Sequence, residues 1–134
     1  MLAKTLLTVA TLIFTVLPPF ADFNKTHALH PKWPGHARFH MVWLVVENSL
    51  VGLLALTLIW YQSTPGKLLI GGGISVLVLG SFLLATLTMP LYSGALSDPG
   101  GVPQGPKGID LNLAVFGVGF LLSLAGLITA FYGI

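Results

Sequence analysis

Apolar residues in this chain neither alternate strictly nor fall at one-face helical spacing. They fill four long stretches, separated by shorter segments rich in proline, glycine and polar residues. Residues 2–20, 39–61, 68–91 and 111–134 each come close to the roughly 20 apolar residues that carry an α-helix across a bilayer. In hydrocarbon, backbone N–H and C=O groups must be satisfied within the spanning structure, and none of the stretches shows the alternating polarity of a barrel strand. The pattern predicts an all-α fold, an integral membrane four-helix bundle forming one transmembrane domain over residues 1–134, with both chain ends on one side. The first stretch, with Lys4 before its apolar run and small residues near Ala21, also fits a secretory signal peptide. We read it as a spanning helix that ends at Pro18-Pro19, because proline removes a helical donor.

The connections are unequal. Residues 62–67 read as a plain turn built on Pro65-Gly66, whereas 21–38 and 93–110 are long, proline-rich and on the same side, suited to capping one end of the bundle. Trp33, Pro34 and the histidines favour order in the first long loop. Lys25, Lys32, Arg38 and Lys107 lie on the long-loop side, against Lys4 and Lys67 on the other. This bias predicts a cytoplasmic (inner) membrane with the long loops facing the cytoplasm. In the third stretch Gly71-Gly72-Gly73, Gly80 and Ser81, and in the fourth Gly117, Gly119, Ser123 and Gly126, are small residues that let helices approach closely.

Composition agrees with the pattern and removes several classes of function. Charged residues make up 7% of the chain and hydrophobic residues 54%, so no charged shell for a soluble core is available. A net charge of +2 with scattered basic residues excludes a nucleic-acid surface. With no cysteine there is no disulfide framework, thiolate metal site, iron–sulfur cluster or covalent c-type haem.

Candidate chemistry is concentrated between Asn24 and Asn48, which hold His27, His30, His36 and His40, the only arginine (Arg38), the only glutamate (Glu47), Trp33 and Trp43. If Pro34 starts the second helix, His36, His40 and Glu47 fall at i, i+4 and i+11. At about 100° per residue they lie within roughly 40° of one another and form a polar stripe entering the membrane, flanked by Asn48. Arg38 points the other way, placed to snorkel to a lipid phosphate or a partner subunit. An intramembrane carboxyl such as Glu47 is a functional candidate, with a hydrogen bond to Thr86 or Ser123 as the plain structural alternative. His27 and His30 are read as the more exposed loop pair. The spacings His27-x-x-His30 and His36-x-x-x-His40 can each set two imidazoles on one divalent metal. Too few histidines are present for a membrane di-iron oxidase. The other helices carry none, which excludes a two-histidine bundle cytochrome and leaves a haem on a single axial histidine open.

Ala37-Arg38-Phe39-His40, preceded by Pro34-Gly35, is similar to the ARxH stretch of the styrene oxide isomerase family, and Gly105 to Asp110 (GPKGID) resembles that family's approach to its fourth helix. The resemblance implies a small four-helix membrane protein that assembles as a homo-oligomer, a trimer. It also implies haem b held by one axial histidine, whose iron acts as a Lewis acid in turning an epoxide into an aldehyde. Carried over, His40 is the axial ligand and Arg38 a haem-propionate or interface partner, with Asp110 a looser match. The chain departs from the family where Glu47-Asn48 stand near its asparagine, where the third helix lacks its tyrosine, and in the additional His27, His30 and His36.

Three functions are therefore expected to compete. One is a haem- or metal-dependent isomerase acting on a small apolar substrate from the bilayer, with His40 on iron and Glu47 or Asn48 orienting or protonating the substrate. The second is a non-haem protein binding metal through two or more of the four histidines. The third is a metal-free lipid- or sterol-like isomerase or binding protein using Glu47 and His40.

Overall fold

A computed structural model of the chain describes residues 1–98 and 105–133; the glycine- and proline-rich centre of the second long loop lies outside the described residues. Four helices, α1 (Leu2–Asp22), α2 (Gly35–Trp60), α3 (Pro65–Thr88) and α4 (Leu111–Tyr132), make up the described fold, and α3 runs on into a 3-10 turn, Met89–Leu91. Each of the four is long and apolar enough to span a membrane, so the chain is a small membrane protein built as a four-helix bundle. Each helix packs against its neighbours in sequence, α1 closes the ring against α4, and the α1–α3 diagonal is the short one.

The helix boundaries shift from the sequence reading for local reasons. Helix α1 does not stop at Pro18-Pro19 but continues through both to Asp22. Proline at position 19 removes the N–H that would bond to the Thr15 carbonyl. The Ser49 hydroxyl of α2, 2.9 Å from the Val45 carbonyl, also reaches the Thr15 carbonyl at 3.3 Å and so offers it a replacement donor. Helix α2 begins a turn earlier than the expected 39, with Pro34 at its N-cap in an extended conformation, which puts His36 on the helix along with His40. Pro65-Gly66 form the first turn of α3 instead of the connection, because the Thr64 side chain caps the Lys67 amide at 3.3 Å. The turn is completed by Gln62 in a left-handed conformation, φ 44°. Asp110, the looser match to the isomerase pattern, is the N-cap of α4 and accepts from the Leu113 amide at 2.9 Å.

Packing is tight at the short-loop end and through the middle. Leu7 is fully buried, and its side chain lies where a Cβ on Gly72 or Gly126 would sit, at 3.0 and 2.7 Å. Gly71 brings α3 against the backbone of α2 at Ala55, and Gly52 leaves room for the Thr15 side chain. The Thr11 hydroxyl donates to the Leu7 carbonyl at 2.7 Å, which leaves its oxygen to accept from Ser75 at 2.8 Å. Above this, Ala10, Phe14 and Leu79 form the core, packed by Phe116 and Phe120. The expected small-residue interfaces are thus real at Gly71, Gly72, Gly119, Ser123 and Gly126. Gly73 and Gly117 face open space. Leu77, Leu84, Leu87 and Leu121 point outwards, as residues bathed in lipid do.

Replacing Gly126 by valine should drive a side chain into Leu7 and destabilise the bundle by about 1–3 kcal/mol, whereas Gly117→Ala should be close to neutral. Thermal unfolding of the two variants in the same detergent checks this, and equal midpoints would contradict the packing described.

Candidate functional site

Toward the long-loop end the helices part and enclose a cavity of about 830 Å³. All four contribute: Leu17, Pro18 and Asp22 from α1, Met41, Leu44, Glu47 and Asn48 from α2, Val78, Ser81, Phe82 and Ala85 from α3, and Leu111, Asn112 and Phe116 from α4. The volume lies within the range of sites for drug-sized ligands, roughly 300–1,000 Å³. Most of the wall is apolar, and a few polar side chains interrupt it.

Glu47 is the thirteenth of the 26 residues of α2, roughly 18 Å along the helix from Gly35, and lies level with the last turn of α1 and the first turn of α4, since Ser49 meets Thr15 and both Asp22 and Asn112 line the same cavity. Neither Glu47, Asn48 nor Asn112 has a side-chain hydrogen bond among the described residues, and the expected partners of Glu47 are engaged elsewhere: Thr86 bonds the Phe82 carbonyl and Ser123 that of Phe120. A carboxyl and two amides facing a mostly apolar space toward the long-loop end of the bundle are groups left to meet a ligand or water.

On the flank between α2 and α3 the cavity wall is made of exposed residues. Leu58, three turns beyond Glu47 and on nearly the same flank of α2, lies 3.4 Å from where a Gly71 Cβ would sit, so the helices touch there. At the level of Glu47 that flank faces Ser81 and Ala85 across the cavity, and all three residues are exposed. From the Gly71 contact toward the long loops this flank changes from touching helices to the cavity wall at Glu47, Ser81 and Ala85, which makes it the candidate portal.

The first long loop lies over the mouth. Asn24 bonds the Thr26 amide and hydroxyl at 2.8 and 2.6 Å, and the Ala28 and Leu29 amides return to the carbonyls of Asp22 and Asn24. Contrary to expectation, His30 is buried, 6% exposed, and accepts from the Lys32 amide at Nδ1. His27 Nδ1 meets the Thr26 hydroxyl at 2.8 Å, its Nε2 lies 3.7 Å from Asp22, and its ring edges Trp33. His27 and Asp22 both line the cavity, so the loop pair divides: His27 reaches the chamber and His30 holds the loop.

The stripe of His36, His40 and Glu47 divides as well. Both histidines are exposed on the flank of α2 and neither lines the cavity; His40 Nε2 lies 3.0 Å from His36 Nε2, and its ring stacks on Trp43. Arg38 is turned back to its own loop, with Nη2 3.2 Å from the Pro31 carbonyl, and its Nε is buried without a partner among the described residues. Among the described residues no three of His, Asp and Glu come together as a ready metal cluster. An iron porphyrin on His40 would need His36 to swing away from the nitrogen that has to bind it.

Asn112 and Asp22 escaped the sequence reading. Asn112 is the one amide in an otherwise apolar first turn of α4, and that isolation was the available signal. Comparison with known protein families, with curated proteins and with solved structures finds no match to this chain.

Because the chain has no cysteine, the portal can be mapped directly. Single substitutions Glu47→Cys and Ser81→Cys should react with a small membrane-permeant maleimide, while Ser75→Cys and Ser123→Cys, at fully buried positions, should not. Equal labelling of all four would contradict a chamber open on one flank.

Proposed function

We propose that this membrane protein takes a small, mainly apolar molecule with one polar group from the bilayer through the α2–α3 portal and moves a proton on it at Glu47, an isomerase-type reaction. The observation that carries the reading is the unpartnered set Glu47, Asn48 and Asn112 in an 830 Å³ cavity that is otherwise mostly apolar. A carboxylate in such a place is a suitable general base, and once protonated it can return the proton to a neighbouring carbon as general acid, leaving the molecule isomerised with no net change in atoms or charge. Asn48 and Asn112, on helices facing each other across the chamber, are placed to hold the polar group, each amide both donating and accepting. The Ser81 hydroxyl donates to the Leu77 carbonyl at 2.7 Å and retains lone pairs for a donor on the ligand. The apolar walls favour the rest of the molecule and keep bulk water from the reacting carbon.

This reading does not use His40. The residue lies two turns from Glu47, roughly 10 Å along the helix, and outside the chamber, so the pairing of Glu47 with His40 for proton transfer gives way to Glu47 acting with the two amides.

Organic extraction of protein purified from its membrane, followed by mass spectrometry, should recover an apolar molecule. Ala85→Trp, which narrows the portal, should diminish the recovery strongly. Glu47→Gln should retain the molecule while slowing its conversion by about 10²–10⁴-fold. Asn112→Leu should weaken retention by about 1–3 kcal/mol, the penalty for leaving a buried polar group of the ligand unpaired. Full retention in Ala85→Trp, or unchanged conversion in Glu47→Gln, would overturn the proposal.

A further inference from the structure

The paired histidines at the start of α2 have no part in the chamber, yet their geometry is specific. His36 Nε2 and His40 Nε2 lie 3.0 Å apart, with ring centroids at 4.4 Å and ring planes at 87°. The i, i+4 spacing places both on one face of the helix, and both are exposed close to its first turn, where water and lipid head groups meet the chain. His40 is held on its other sides by Trp43, stacked at 5.7 Å and 25°, and by Phe39, edge-on at 5.7 Å. These rings limit the rotamers open to the imidazole, so much of its ordering is complete before any ligand arrives.

Two imidazole nitrogens converge this closely only with something between them. In the metal-free protein it is a proton, one nitrogen donating and the other accepting. A cation held at about 2.1 Å from both nitrogens sets them roughly 3.0 Å apart at the right angle of a tetragonal site and roughly 3.4 Å apart in a tetrahedral one, so little or no opening of the pair turns the hydrogen bond into a chelate. A single axial ligand for a flat macrocycle makes the opposite demand, one free nitrogen with clear space around it, and His36 fills that space. His27 does not compete, because its two ring nitrogens face Thr26 and Asp22.

We propose that His36 and His40 form a binding site for a borderline divalent transition-metal ion, separate from the chamber and facing the aqueous side of the long loops. Imidazole donors suit copper, nickel and zinc, with Cu²⁺ held most tightly of the first-row series. Two protein ligands leave the remaining positions to water, and the site is open to solvent and exchangeable. It does not depend on the proton-transfer reading of Glu47.

The test is titration of chelator-treated, detergent-purified full-length protein with Cu²⁺, read by electron paramagnetic resonance and by elemental analysis. One copper per chain, with hyperfine coupling to two imidazole nitrogens, is the expected result. His36→Ala and His40→Ala should each weaken binding by at least about tenfold, and His27→Ala should leave it unchanged. The wild-type spectrum reports the ligand set without any variant, so poor folding of a substituted chain does not obscure the answer. Copper bound equally by wild type and the His36→Ala/His40→Ala double variant would overturn the proposal. So would a spectrum with a single nitrogen ligand, or hemin taken up at His40 with a Soret band that His36→Ala does not alter.

Discussion

Leu7 is the point on which the bundle depends. Its side chain fills the space that two missing Cβ atoms leave, one on α3 at Gly72 and one on α4 at Gly126, and so brings three helices to a single contact. Lipid tails are as apolar as leucine, so burial alone gives helices little reason to associate in a membrane; close packing and hydrogen bonds must do it. The contact is available only where both neighbours lack side chains. Around it, the Thr11–Ser75 bond joins α1 to α3, and Trp60, donating to the Thr8 hydroxyl at 2.9 Å, fastens α2 to α1.

From that end outward the helices carry larger residues, and the geometry follows. Gly71 and Gly72 on α3 give way to Val78, Phe82 and Ala85, and Gly119 and Gly126 on α4 give way to Phe116 and Asn112. Helices pinned at one end and spaced by bulk toward the other diverge, and the divergence is the chamber. Ser49 keeps α1 continuous alongside it. With a second donor within reach of the Thr15 carbonyl, α1 carries its helix through two prolines to Asp22, which lines the rim beneath the loop.

The spans, the bundle and the pairing of loops by side could be read from the residues because each depends on local composition: twenty apolar residues in a row have few alternatives. Boundaries that depend on a partner were not legible in the same way. Nothing within residues 2–22 announces that Ser49, on another helix, will offer a donor to the carbonyl that Pro19 orphans. The polar stripe shows the limit most clearly. Helical phase correctly put His36, His40 and Glu47 on one flank of α2, but phase cannot say where along that flank the neighbouring helix withdraws. The withdrawal separates Glu47, beside the chamber, from the two histidines outside it. Asn112 was missed for a related reason, since its significance comes from what it faces across the bundle.

The position of Glu47 within the spanning bundle but toward its long-loop end also gives the chamber an electrical depth. A proton reaching that carboxyl from the long-loop face crosses the smaller part of the transmembrane field and one from the other face the larger part, the two together worth about 2.3 kcal/mol for every 100 mV. A charge carried by a ligand to Glu47 is divided between the two faces in the same way, so the fields on either side of the bilayer weigh unequally on what the chamber holds.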